Sequence, residues 1–133
     1  MHCRGLMVLV GALAVPAHAA ESRQPDPWAH PTPMTVTMVD NRFHPDHLTF
    51  RAGHAYALHL VNRGKDMHEF TAPAFFKAAR VRDASRLANG GTDVVVQPGQ
   101  SATLVLIAPQ AGQYPLSCAD HDWDGMLGQI DVR

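Results

Sequence analysis

The sequence predicts an all-β domain, a sandwich or barrel of about eight short strands with one helical excursion. Short segments rich in β-branched residues alternate between apolar and polar positions, and Gly, Pro and Asn turns separate them. Only residues 74–87 carry apolar side chains at roughly helical spacing. A chain of 133 residues is long enough for one domain with a substantial buried core.

The strands are predicted from their alternation and from the turns that bound them. In chain order they cover 34–40, 48–51, 54–62, 68–71, 93–96, 101–108, 113–118 and 126–132. Residues 41–46 are predicted to form a turn between the first two. Within the third strand Tyr56, Leu58 and Leu60 share one face, so we expect them in the core and His59 on the other face.

The N-terminus resembles a targeting segment rather than part of the fold. Arg4 precedes an apolar run from Gly5 to Val15, and Ala17-His-Ala19 follows as a small-residue cleavage site. The run is too short to cross a bilayer. We predict a signal peptide over 1–20, a periplasmic protein, a proline-rich extended arm over 21–33 and a folded domain over 34–133.

Charge and cysteine content narrow the function. The 11 basic residues nearly balance the 12 acidic ones, for a net charge of −1, so nucleic acid is not an expected partner. Of the two cysteines, Cys3 would leave with the signal peptide. Cys118 would then stand alone in an oxidising compartment, which indicates a reactive or metal-bound thiol.

A cluster of potential metal ligands occupies the C-terminal part of the chain. Cys118, His121 and Met126 follow one another with the spacing Cys-x2-His-x4-Met, and Gly125 permits a sharp bend before the thioether. Tyr114 and Leu116 have the same parity as the cysteine, so the thiol is expected to face the core.

A fourth potential ligand must come from elsewhere in the fold. His68 lies 50 residues before Cys118, at the start of another predicted strand. One Cys and two His with a weak axial Met form the ligand set of a blue-copper site, so we predict one type 1 copper ion per chain. The predicted ligands are His68, Cys118, His121 and Met126.

These residues admit three other interpretations. A Cys/His nucleophilic pair would need an oxyanion loop and an orienting partner, and the sequence offers neither. Structural zinc needs four firm ligands, and a thioether is a poor fourth. A metal-free β-sandwich used for interaction is the third. Four protein ligands leave no open position for a substrate, so we expect a protein that is not an enzyme.

The run from Cys118 to Met126 resembles the ligand loop of plastocyanin and pseudoazurin, which are small blue-copper proteins of the cupredoxin family. The resemblance extends over residues 34–132 through further matching positions, which are Phe43, Pro45, Ala52, Gly53, Asn62, Gly64, Phe70, Gln97, Pro98, Gly99, Gly112 and Tyr114. It implies a Greek-key β-sandwich of about eight strands and one-electron transfer by copper held at the four positions named above.

The chain departs from the family pattern in three places. Ser117 precedes the cysteine where electron carriers usually have an aromatic residue, and residues 72–91 have no counterpart. Three aspartates stand in the loop where many relatives present an apolar surface: Asp120, Asp122 and Asp124.

Two functions therefore remain open at the level of sequence. The first is a monomeric electron carrier with a redox partner such as a cytochrome. The second is copper tolerance, storage or delivery, with a copper-handling protein as partner. Accessory copper sites for the second function could use further side chains, which are His30, His44, His47, His54, His59, Met34, Met38 and Met67.

Overall fold

The computed structural model describes residues 24–133, and the predicted signal peptide lies outside this part of the chain. Residues 24–133 form ten strands, one α-helix and two short 3₁₀ turns. The strands are β1 Thr32–Val39, β2 Arg42–His44, β3 His47–Phe50, β4 Ala55–Asn62, β5 His68–Thr71, β6 Arg80–Val81, β7 Asp93–Val96, β8 Ser101–Ile107, β9 Gly112–Ser117 and β10 Leu127–Val132. The helix α1 is Pro73–Ala78, and the 3₁₀ turns are Ala84–Arg86 and Asp122–Asp124.

The strands pair into two five-stranded sheets, so the predicted β-sandwich is confirmed with ten strands rather than about eight. The first sheet has the order β2-β1-β4-β8-β6, and the second has the order β3-β10-β9-β5-β7. Most pairs are antiparallel, but β1 runs parallel to β4 and β3 runs parallel to β10.

The core fills the space between the sheets with alternating side chains. In β4 every second residue is buried, including Tyr56, Leu58 and Leu60 as predicted. The ring of Phe50 packs edge to face on that of Tyr56, with centroids 4.8 Å apart, and lies tilted against that of Phe75 at 5.2 Å. Such burial is the main favourable contribution to folding.

The predicted turn over residues 41–46 is wrong, because it contains β2. Val39 pairs with Arg42 across a two-residue turn in which Asp40 and Asn41 both have positive φ. Such tight turns match the twist of the strands they join. The chain therefore returns to the sheet at once and buries Phe43, which is 2% exposed.

The predicted helix over 74–87 is mostly wrong, since α1 ends at Ala78. Phe75 and Phe76 are both buried although they are adjacent, so one helical face does not account for the packing. Beyond the helix, Arg80 and Val81 pair with β8 and complete the edge of the first sheet. These backbone hydrogen bonds outweigh a helical preference that is weak in a stretch containing valine, aspartate and serine.

The strand order places the ends of β5, β9 and β10 side by side. Ser117 pairs with both Thr71 and Leu127. Because β5 is antiparallel to β9, the start of β5, the end of β9 and the start of β10 lie at the same end of the second sheet. None of the helices in residues 24–133 has the length and apolar character needed to cross a bilayer. At the start of the described chain, the Arg80 guanidinium lies 5.4 Å from the centre of the Trp28 ring.

Candidate metal centre

Three of the four predicted ligands come together at this end of the second sheet. The Cys118 Sγ lies 3.4 Å from the His121 Nδ1 and 4.0 Å from the His68 Nδ1. The potential ligand atoms of these three residues all lie within 4.8 Å of one another. The two imidazoles therefore turn the same ring nitrogen toward one buried sulfur.

Each candidate ligand lies in a different part of the local structure. His68 is the first residue of β5 and is 1% exposed. Cys118 follows the last residue of β9 and is fully buried, with Tyr114 and Leu116 facing the core as predicted. His121 lies in the loop between β9 and β10 and is half-buried.

Backbone hydrogen bonds close the loop between Cys118 and Met126. The Cys118 N–H donates to the Met126 carbonyl over 3.0 Å, and the Met126 N–H donates to the His121 carbonyl over 3.1 Å. Gly125 has φ 78°, the left-handed conformation that a side chain disfavours. Met126 is fully buried, so its side chain lies in the core rather than at the surface of the loop.

The segment before His68 is fixed by Asn62. This buried amide donates to the carbonyls of Asp66 and Val96, both over 2.8 Å, and its oxygen accepts from the Gly64 N–H over 2.8 Å. A Cβ on Gly64 would lie 3.0 Å from the His68 Nε2, so a side chain there would have to displace the imidazole slightly. The loop 62–66 therefore packs directly against the imidazole.

The protonation states of the centre follow from burial. Desolvation lowers the pKa of His68, with the charge of His121 as a second cause, so the neutral imidazole that binds metals is favoured. Desolvation raises the pKa of the Cys118 thiol, partly offset by backbone N–H groups. One of these is the Glu69 N–H, which donates to the sulfur over 3.3 Å. A metal must displace the thiol proton in order to bind.

Glu69 is the one carboxylate buried beside the sulfur in the described chain. It is 7% exposed, and its Oε2 has no hydrogen-bond partner. Desolvation raises the pKa of this carboxyl, and the carboxylates of Asp120 and Asp93 raise it further. Burial without a hydrogen-bond partner thus disfavours the charged form of this carboxyl.

The donor chemistry fits a transition metal of intermediate or soft character. A thiolate and two imidazoles suit copper or zinc, whereas magnesium and calcium require oxygen ligands. Cys118 is a free, fully buried cysteine within residues 24–133. The sulfur is therefore shielded from bulk water.

The other histidines do not form a second centre in the part of the chain that the structure describes. There the only group of three or more His, Cys, Asp or Glu side chains with metal-like spacing is the one around Cys118. The His47 Nε2 lies 2.8 Å from an Asp131 oxygen, and the His59 Nδ1 lies 2.8 Å from the Thr103 Oγ1. Met38 is fully buried in the core.

Three residues contribute to the centre although the sequence analysis did not predict a role for them. Glu69 binds the sulfur through its N–H, and the Thr71 Oγ1 accepts a hydrogen bond from the Ala119 N–H over 3.3 Å. Both Glu69 and Thr71 lie on β5, next to the strand that leads to Cys118, so the predicted strands could have indicated them. Asn41 donates to the Asp124 carboxylate over 2.7 Å, a contact between distant parts of the chain for which the sequence holds no signal.

Comparisons with known proteins agree with this architecture. A family model described as the cupredoxin-like domain matches residues 5–132. No protein with curated annotation matches the chain.

Solved structures resemble the chain at low sequence identity. Reduced auracyanin from Roseiflexus castenholzii superposes with a TM-score of 0.59 at 16% identity, covering 77% of this chain and 97% of the other. Auracyanin B gives a TM-score of 0.58 at 19% identity and covers 77% and 88%. A reduced mutant of amicyanin gives a TM-score of 0.52 at 17% identity and covers 79% and 85%. At these identities the likeness concerns the fold.

Proposed function

The chain belongs to the cupredoxin-like family, and on this premise we propose that it is a periplasmic copper protein that carries single electrons. The observation that carries the proposal is the buried Cys118 thiol, whose sulfur lies 3.4 and 4.0 Å from the Nδ1 atoms of two imidazoles that are close to each other. The proposed copper ligands are His68, Cys118, His121 and Met126.

The donor set supports copper over other metals. Copper is the most strongly bound divalent ion of the first transition row, and a buried thioether suits it as a weak fourth ligand. Zinc in a structural site would need four firm ligands. A bound copper ion supplies a one-electron couple between Cu(I) and Cu(II).

The protein supplies a closed and pre-arranged environment for that couple. The Glu69 N–H stabilises the thiolate, and Asn62 holds the segment that precedes His68. A ligand set fixed by backbone hydrogen bonds rearranges little, which favours rapid electron transfer. Four protein ligands leave no position for a substrate, so we propose a carrier rather than an enzyme.

The half-buried His121 marks the face through which a partner would approach. Trp123 in the same loop is 79% exposed, and its indole N–H donates to the Asp120 carbonyl over 2.9 Å. The ring is thus held by its own loop while most of its surface stays exposed. Asp122 and Asp124 on either side are exposed. This surface suits a partner with lysine or arginine at its docking face, such as a cationic cytochrome.

Copper storage, tolerance or delivery is the second candidate function. It is favoured by a cavity of about 420 Å³ that has the buried His68 in its lining. The lining also includes Asp40, Asp66 and Lys65. Such an opening would let a group from a second protein approach this ligand. Growth of a deletion strain on excess copper tests this function, and unchanged tolerance would contradict it.

Titration of the metal-free protein with Cu(II) tests copper binding. We expect an intense visible charge-transfer band and a one-to-one endpoint in the wild type, and loss of the band in Cys118→Ala and His121→Ala. His59→Ala is the matched control, because that imidazole lies outside the centre. A wild type without the band would overturn the copper proposal.

Stopped-flow reduction by a cationic c-type cytochrome then tests electron transfer. We expect a rate constant that falls as ionic strength rises, because opposite charges attract. An anionic reductant should show the reverse trend. A rate that ionic strength leaves unchanged would argue against docking by charge.

A further inference from the structure

The ligand loop carries three aspartates, and their side chains do not have equivalent roles. Within residues 24–133, the carboxylates of Asp120 and Asp122 accept no hydrogen bond from another residue. The Asp124 Oδ2 accepts from the Asn41 Nδ2 over 2.7 Å. Asp124 lies between two proposed ligands in the chain, and its own N–H donates to the His121 carbonyl over 3.1 Å.

Asn41 comes from the opposite sheet. It occupies the two-residue turn between β1 and β2, which belong to the first sheet, whereas the ligand loop joins β9 to β10 in the second. Its φ of 53° is one that glycine adopts more easily and that asparagine tolerates. The position is therefore suited to glycine by backbone conformation, yet it carries an amide that reaches the loop.

We propose that Asn41 is a positioning residue of the metal centre, whose amide fixes the loop 121–126 by binding Asp124. This hydrogen bond joins the loop that carries His121 to the turn of the first sheet. In the same way, the buried Asn62 of the first sheet donates to the Val96 carbonyl of the second sheet, near His68. Apart from its own internal bonds, the middle of the loop has few other restraints. The arrangement of His121 and Met126 around the sulfur then depends on this hydrogen bond.

The proposal rests on the proposed copper function but can be tested with and without metal. Asn41→Gly removes the amide and keeps the turn conformation, so the fold should be unaffected. Asp124→Ala removes the acceptor. Asp122→Ala is the matched control, because it removes the same charge from the same loop without breaking a hydrogen bond. The reciprocal exchange, Asn41→Asp with Asp124→Asn, restores a donor and an acceptor in swapped positions.

In the metal-free protein we expect the Gly125 and Met126 amides to exchange with deuterium about threefold to tenfold faster in Asn41→Gly and Asp124→Ala. The control and the reciprocal exchange should retain wild-type rates. In the Cu(II) form, the band ratio of the visible spectrum and the EPR hyperfine splitting should shift in the same two variants and return in the exchange.

Two results would overturn the positioning role. One is unchanged amide exchange in Asn41→Gly. The other is an equal spectral shift in Asp124→Ala and Asp122→Ala, which would mean that charge alone acts. Failure of the wild type to bind copper would instead refute the proposed function, while the metal-free exchange rates would still decide the role of Asn41.

Discussion

The two histidines of the metal centre are held by opposite kinds of structure. His68 begins a strand, is 1% exposed and is supported by the buried Asn62, which makes three hydrogen bonds. His121 lies half-buried in a loop whose link to the other sheet is the surface contact between Asn41 and Asp124. His68 is therefore part of the core, whereas the loop that carries His121 is joined to the opposite sheet by a hydrogen bond at the surface.

The strand side of the centre, around His68, should therefore mainly affect the stability of the protein. The loop side, around His121, should mainly affect its function. Changes on the strand side disturb packing and buried hydrogen bonds, which contribute strongly to folding. Changes on the loop side disturb exposed groups and alter what a partner encounters. Among the residues that depart from the family pattern, the three aspartates Asp120, Asp122 and Asp124 lie on the loop side. If this division holds, substitutions on the strand side should change the free energy of unfolding more than substitutions on the loop side.

Phe70→Ala, two residues after His68, should destabilise the protein most. The ring is fully buried and packs edge to face on Phe43, with centroids 5.9 Å apart. Its removal should lower the free energy of unfolding by about 3–5 kcal/mol, measured by denaturant titration of the metal-free protein. Thr49→Ala, on an exposed strand position, should change it by less than about 0.5 kcal/mol. Equal effects would contradict the assignment of this side to the core.

Asn62→Ala should cost about 2–3 kcal/mol, because it leaves the buried Val96 carbonyl without its donor. Asn62→Asp keeps an acceptor for the Gly64 N–H but turns a second oxygen toward the Asp66 and Val96 carbonyls, so it should be at least as damaging. Asn41→Gly provides the comparison on the loop side and should leave the unfolding free energy nearly unchanged. If both asparagines proved equally important for stability, the two sides would not differ in the way described.

The pH dependence of the metal-free protein should reveal the burial of His68. Desolvation holds its pKa below the ordinary value of 6.5, so the folded protein binds fewer protons there than the unfolded chain. Its contribution is complete above pH 6.5 and is lost as pH falls from there toward the lowered pKa.

Unfolding free energies measured between about pH 7 and about pH 5 should therefore fall more in the wild type than in His68→Gln. The difference between the two proteins isolates the contribution of His68 from those of the other titratable groups. Parallel curves for wild type and His68→Gln would contradict this prediction.

Trp123→Ala should have the smallest effect on stability, within about 0.5 kcal/mol, because the side chain is 79% exposed. Its effect should appear in the rate of reduction by a cationic cytochrome, which we expect to fall severalfold as the contact with the ring is lost. Trp123→Phe keeps an aromatic face and should retain most of the rate. An unchanged rate in Trp123→Ala would remove the ring from the docking surface.

The predicted strands that were found share strong local signals. The alternation in 54–62 gave β4 to within one residue, and the parity of Tyr114, Leu116 and Cys118 correctly placed the thiol in the core. The helix over 74–87 failed because the backbone of Arg80 and Val81 pairs with a strand distant in sequence. Pairing of this kind depends on the neighbouring strand, which local spacing does not encode.

The chemistry of the centre could be predicted from the sequence, which has a cysteine, two histidines and a methionine at spacings that suit a transition metal. This was possible because donor types and the period of a strand are local properties. The burial of His68, the partial exposure of His121 and the hydrogen bonds by which Asn62 and Asn41 reach across the sandwich became known from the tertiary structure. These relations arise from the packing of two sheets, which joins residues far apart in the chain.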